Sequence, residues 1–225
     1  ESVQNAIDLG VYVVAAAGND GEDDDGDVES PGSVEDVICV GAVTRTGSIW
    51  SGSSEGDNNG RLWPNPILPR QDPDKKPEIV APGHEVPILM ASATGSGTWW
   101  GWSSGTSAAT AWVSGSIAIF LEANPEMKRD GDQGGGTAIS NLKMMISQNS
   151  EMKENQDGHD NHYGYGLLRL DLLINGTQNS SLESNLRSTN LLPFENIEIK
   201  HVQEVQATRR MTASVPPDNS TKDTE

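Results

Sequence analysis

A single cysteine, Cys39, in 225 residues leaves no internal disulfide to form, and says nothing about redox compartment. Long hydrophobic runs are lacking too. No stretch approaches the ~20 continuous apolar residues of a membrane-spanning helix, which excludes membrane insertion through helices. Basic residues are scarce, with 15 Lys and Arg against 33 Asp and Glu, for a net charge of -18. That balance argues against nucleic acid and anionic membrane surfaces as partners, since both would repel it. The excess reads as a solvated acidic surface. A starting methionine is absent as well, so the natural start is expected upstream of Glu1.

The length suits one substantial α/β domain, with or without a tail. Residues 1–9 place Val3, Ala6, Ile7 and Leu9 at helical spacing, with Gly10 as a stop. VYVVAAA (11–17) and VICVGAV (37–43) are continuous apolar runs, each expected to be a strand buried on both faces of a parallel sheet. EIVAPG (78–83) and VPILMASA (86–93) are shorter apolar segments, and Pro87 marks the second as a sheet edge. One long helix is expected over 106–123, stopped by Asn124-Pro125, another over 137–148, and a short one over 167–174. Helices alternating with buried strands predict a three-layer α/β fold, a mostly parallel sheet with helices on both faces. Composition turns polar and Ser/Asn-rich after Asn175. This predicts a domain over 1–174 and a linker or tail over 175–225, in which IEIKHV (197–202) could open a further β module.

SSGTSAATAWVSG (103–115) leads small residues and Gly105 into Thr106-Ser107 and then directly into the apolar helix. A serine there is either a helix cap satisfying an orphan N–H, or a nucleophile set where unpaired N–H groups and the helix dipole stabilise negative charge. The local pattern allows both. AAAGNDG (15–21) ends a buried strand and presents Asn19 at its carboxyl end, where open α/β sheets keep their ligand crevices. Asn-Asp-Gly is also ordinary turn chemistry. Read functionally, the Asn19 amide donates to an oxyanion alongside the backbone N–H of the nucleophile, and the alanines leave room for a substrate side chain.

Taken in order, VVAAAGNDG, SPGSVEDVICVGAV, SGSSEG, KPEIVAPG, GTSAATAWVSG and YGYGLLRLDLL resemble the C-terminal half of the catalytic domain of subtilisin-like serine proteases. The resemblance covers residues 1 to about 174. It implies serine endopeptidase activity through an acyl-enzyme at Ser107, with Asn19 in the oxyanion hole. It also implies that Ala15, Ala16, Ala17 and Gly18 form one wall of the specificity pocket, and that Gly105 and Thr106 flank the substrate. Peptides or proteins would be the substrates, secretion to the extracellular space or cell surface is expected, and no cofactor is required. Calcium is common in this family, and GEDDDGDVES (21–30) is the candidate loop, although it lacks EF-hand spacing. A solvated acidic loop is the favoured reading of the same residues, and a loop favouring basic substrate residues is an alternative.

The departures are specific. The resemblance implies an Asp in a D-[ST]-G motif and a His in an H-G-T-H-like motif, both upstream of the AAAGN strand, and neither motif occurs in this chain. His84, His159, His162 and His201 follow other sequence contexts. The chain is therefore expected to be the second half of a longer protease, and inactive alone, because an unassisted hydroxyl is a weak nucleophile. Ala108, Ala111 and Trp112 stand where the family usually has Met, Pro and His. The two alanines are compatible with activity, and Trp112 is without an explanation at this level. Trp99, Trp100 and Trp102 precede the nucleophile segment, where the resemblance implies the leaving-group side of the cleft. DGHDNH (157–162) mixes metal-ligand types and reads as a polar loop. Two alternatives stand beside the peptidase: a non-catalytic subtilase-like binding domain, and an unrelated binding protein whose helix caps mimic the motif.

Overall fold

The computed structural model describes residues 2–21, 27–56, 69–89, 100–128 and 136–179. Its centre is the apolar run around Cys39. Strand β2 (Ile38–Val43) is buried at every position and is flanked by β1 (Val14–Ala16) and β3 (Ile79–Pro82), both parallel to it. Register pairs Val14 with Ile38 and Val40 with Ile79, so Ile38, Val40, Ala42, Ile79 and Ala81 share one face. Helix α2 (Thr106–Ala123) covers that face with Ala109, Val113, Ile117 and Phe120. Burying each of the three larger side chains stabilises the layer by roughly 1.5–3 kcal/mol. On the opposite face Ala15 packs with Val37, with Ile7 of α1 (Ser2–Asp8) and with Ile139 of α3 (Gly136–Gln148). Helices thus lie on both faces, as the alternation of elements predicts.

Helix α2 stops where the sequence places its stop. The Asn124 backbone N–H and its Nδ2 both donate to Phe120 O, at 2.9 Å each, and Pro125 begins a short 3-10 turn (Pro125–Met127). Three expectations change. The run 11–17 yields only a three-residue strand, and Val11 is 49% exposed. The strand's faces are nonetheless both covered, Val14 packing on the α2 side and Ala15 against α1 and α3, and among the described residues its one strand neighbour is β2. The helix expected over 167–174 is α4, Leu170–Asn179. Leu167 and Leu168 stay extended because the sheet takes their backbone: Leu167 exchanges hydrogen bonds with Glu151, and Leu168 N–H donates to Val80 O at 3.0 Å. Finally, among the described residues β4 (Val86–Leu89) pairs with β5 (Trp100–Ser103) alone, in an antiparallel ribbon. The edge reading of Pro87 agrees with this, whereas β5 was not anticipated. The segment 197–202, Trp99 and residues 22–26 of the acidic loop lie outside the described residues.

Beneath β3 sits an ionic cluster in which Lys76, Glu78 and Lys143 are buried and Asp74 is half-buried. Lys76 Nζ lies 2.6 Å and Lys143 Nζ 2.8 Å from Glu78 Oε1, and Lys143 also reaches Asp74 at 2.8 Å. Glu78 Oε2 accepts the Cys39 N–H at 2.7 Å, and Glu78 N–H donates to Cys39 O at 3.0 Å, so this one residue extends the β2–β3 ladder. Gly164 of the YGYG segment crosses directly over it. A Cβ there would stand 2.6 Å from the Glu78 carbonyl, and its φ is +59°. Burial first, and then the Glu78 charge, push the Cys39 thiol up to about 12. Native protein is accordingly expected to resist alkylation at Cys39 at pH 8, and to react in denaturant at a free thiol's rate. Rapid labelling of the folded chain by iodoacetamide would contradict that burial.

Candidate active site

Gly105 ends the turn after β5 and is the N-cap of α2, with no side-chain cap of its own. Its φ of +155°, with ψ 154°, is a backbone shape that side chains rarely adopt. The cap comes instead from the end of β1. Asn19 Oδ1 accepts from the Thr106 backbone N–H at 2.9 Å and from Thr106 Oγ1 at 3.0 Å. The one hydroxyl proton of buried Thr106 is shared between Asn19 Oδ1 and Gly18 O, the latter at 3.1 Å, and Oγ1 accepts the Gly18 N–H at 3.3 Å. A backbone N–H can only donate, so the atom facing Thr106 must be the amide oxygen, and the Nδ2 donor is turned outward.

That orientation organises the neighbourhood. A Cβ built on Gly105 would stand 3.5 Å from Asn19 Oδ1, 3.7 Å from Asn19 Nδ2 and 3.8 Å from Ser107 N, so both donors, together with the amide oxygen, border the open space that glycine leaves. Among the described residues neither donor has an acceptor. The next N–H along, that of Ala108, is taken by Gly105 O at 3.1 Å. Ser107 itself is exposed, and its side chain caps nothing. The arrangement can receive negative charge between two N–H donors at the positive end of a helix.

The remaining sequence-derived positions divide. Gly18 and Thr106 are buried and hold the two segments together. Ala15 and Ala17 turn their side chains into the core, toward Ile7 and Val37 and toward Val28 and Cys39 respectively, while Ala16 is half-buried. Any wall offered by Ala15 and Ala17 is therefore a backbone wall. Among the described residues no histidine bonds to Ser107. His84 Nδ1 lies 3.0 Å from Ser104 Oγ, and its ring stacks on Trp50. His159 is tied to Pro77 O at 2.9 Å, and burial holds its pKa below the usual imidazole range. His162 pairs with Glu55. Asp160 Oδ1 accepts from the His162 and Tyr163 N–H groups, so the 157–162 segment is a self-bonded turn. The described residues hold no group of three or more His, Cys, Asp or Glu placed for a metal.

Sequence reasoning missed a cleft of about 460 Å³ on the β3 side of Gly105, lined in part by Arg45, His84, Pro87, Trp102 and Trp112. Its advance signals were the unexplained tryptophan in α2 and Trp102, which the resemblance had set near the leaving-group side. It also missed the Lys76–Glu78–Lys143 cluster, for which lysine spacing carries no signal.

Comparison with known proteins agrees with this geometry. A family model described as the subtilase family matches residues 1–166. Serine protease AprX of Bacillus subtilis (strain 168) is 27% identical over 184 residues, which is 78% of this chain and 38% of AprX. Among solved structures, the prenylagaramide maturation protease PagA aligns with a TM-score of 0.54 at 23% identity, covering 77% of this chain and 53% of that one. At that identity the likeness is one of fold. The chain spans about half, or less, of the length of these relatives. A match over residues 1–166 takes in the sheet, the Asn19 turn and the whole of α2, and on that ground the chain belongs to the subtilase family.

Proposed function

We propose that this chain carries the nucleophile and the oxyanion-binding groups of a serine endopeptidase. The observation that carries the reading is the pinned Asn19 amide. Thr106 holds Oδ1, which aims Nδ2 at the same open space as the unpaired Ser107 N–H. In this reading Ser107 Oγ attacks a peptide carbonyl. The carbonyl oxygen becomes an oxyanion between Asn19 Nδ2 and Ser107 N, the amine leaves, and water hydrolyses the acyl-enzyme. The base that takes the Ser107 proton, and the carboxylate that orients it, are supplied by residues beyond this chain. Substrates are peptides or proteins, and the site of action is extracellular or at the cell surface.

A second reading, a non-catalytic subtilase-like binding domain, draws on the lack of a histidine beside Ser107 among the described residues. A fluorophosphonate probe separates the two. Applied to the protein from which this chain is taken, it is expected to label Ser107, located by peptide mapping, and to leave Ser107→Ala unlabelled. Absence of label on a folded protein that contains the upstream Asp and His motifs would defeat the peptidase reading in favour of the binding domain.

A further inference from the structure

The parallel strands β2 and β3 end side by side, Val43 pairing with Pro82, and open α/β sheets take ligands in the crevice outside such carboxyl ends. The cleft of about 460 Å³ opens there, within the size range of a small-molecule site. Chain leaving β2 supplies Arg45 from a closed turn, in which Thr44 N–H donates to Ser48 O at 2.8 Å and Gly47 N–H to Thr44 O at 3.0 Å. Chain leaving β3 supplies His84 and Glu85. Trp102 of β5 and Trp112 of α2, 63% and 55% exposed, complete a largely apolar lining. Among the described residues, none of 15–19 or 104–107 lines this cleft, so it is a site apart from the space beside Ser107.

Two features distinguish it from a plain apolar groove. The first is that it carries one charge of each sign. Among the described residues neither the Arg45 guanidinium nor the Glu85 carboxylate has a partner, although the chain holds 33 acidic residues against 15 basic ones and could readily have paired an arginine. The second is that Glu85 holds a φ of 51°, which is uncommon for a residue with a side chain. A short relay fixes it. Glu85 N–H donates to Ser104 Oγ at 3.0 Å, that hydroxyl lies 3.0 Å from His84 Nδ1, and the His84 ring stacks on Trp50. Backbone held in such a region gathers at ligand sites, where the surrounding structure over-determines it.

We propose that this cleft binds a small zwitterion with an aromatic side chain, of which a free aromatic amino acid is the simplest. Arg45 takes the carboxylate, for which its planar fork is suited, and Glu85 takes the ammonium. The indoles of Trp102 and Trp112 pack on the ring. A ligand with one charge or none leaves Arg45 or Glu85 unmatched, so selectivity comes from both charges together with the ring. The proposal goes beyond the peptidase reading of Ser107 and does not depend on it.

Isothermal titration calorimetry of the full-length protein tests it with phenylalanine, phenylalanine amide, 3-phenylpropionate and glycine. The last three lack the carboxylate, the ammonium and the ring respectively. Phenylalanine is expected to bind at least about tenfold tighter than each of them. Arg45→Gln should erase its advantage over the amide, and Glu85→Gln its advantage over 3-phenylpropionate. Replacing Trp102 and Trp112 together by alanine should erase its advantage over glycine. All four side chains are exposed, so circular dichroism should show an unchanged fold. No binding of phenylalanine, equal affinity for the amide or 3-phenylpropionate, or preferences that survive the substitutions would overturn the proposal. Saturating phenylalanine should also leave fluorophosphonate labelling of Ser107 unchanged. Loss of label on adding phenylalanine would set the ligand beside Ser107 and overturn the separate site. A protein that takes no label at all counts against the peptidase alone, because calorimetry reads the cleft independently.

Discussion

Asn19→Asp is expected to slow acylation of Ser107 by about 10²–10³-fold while leaving thermal stability close to that of the native chain. The magnitude is that of removing the oxyanion-hole asparagine of a subtilisin, carried to Asn19 on the proposed function. The separation of effects comes from the geometry here. Aspartate keeps an oxygen for the Thr106 N–H and hydroxyl, so the cap on α2 survives. What it loses is the outward N–H donor, and it sets a negative charge beside the space where an oxyanion would form. Asn19→Ala removes both functions. It should slow acylation comparably and also destabilise the fold by about 1 kcal/mol, the usual value of a helix cap. Fluorophosphonate labelling rates and thermal melts of the two variants check this directly. An aspartate variant that labels at the native rate would remove Asn19 from the oxyanion site. Equal melting temperatures for the two variants would remove it from the cap.

Glu78→Gln should be the most destabilising isosteric change in the described chain, costing about 3–5 kcal/mol in urea unfolding, as expected when one partner of a buried ion cluster is lost. An amide can still present an oxygen to the Cys39 N–H, but its NH₂ then points at two buried ammonium groups, which lose their shared carboxylate oxygen and keep only backbone carbonyls and, for Lys143, Asp74. Burial lowers the pKa of both lysines. For Lys143 the Glu78 charge and the hydrogen bonds to Asp74 and Glu78 outweigh burial and raise its pKa above the ordinary 10.5, whereas for Lys76 burial prevails. A raised lysine stabilises the fold at every pH below its unfolded value, and that contribution is lost as pH rises through the folded value. Removing the Glu78 charge takes away Lys143's main support, so the alkaline loss of stability should begin at lower pH in the variant. The damage should also reach the site. β3 leads from Glu78 to Gly83, whose carbonyl anchors the Gly105 N–H at 2.8 Å. A Glu78→Gln protein as stable as the native chain would show that the cluster is not held as described.

Much of the framework was legible because local rules decided it. The apolar run 106–123, closed by Asn124-Pro125, became α2 with the expected bounds, since a long buried helix and its stop are both local signals. The run around Cys39 became a strand buried at every position for the same reason. Ser107 at the head of that helix and Asn19 at the end of a strand were visible as chemistry in the right kind of place. Their relation was not. The two segments lie 87 residues apart at Thr106 and Asn19, and no spacing rule states that an amide oxygen at one will cap the helix of the other.

Where local rules failed, a distant partner had overridden them. Leu167 and Leu168 would suit a helix, but Glu151 and Val80 claim their backbone groups for the sheet. VYVVAAA is apolar throughout, yet only Val14–Ala16 pairs with β2, and Val11 is left 49% exposed. Lys76 and Lys143 read as surface lysines until folding delivers Glu78 and Asp74 to them. Trp112 read as an anomaly until the β4–β5 ribbon came to lie across from it. The sequence by itself determined the layered α/β fold, the family and the two chemical groups of the site, because periodicity, stop signals and motif order are properties of neighbouring residues. The tertiary structure alone decided which atom of Asn19 faces Thr106, which charges are buried and where the tryptophans form a surface, because hydrogen-bond direction and desolvation depend on residues that only folding brings together.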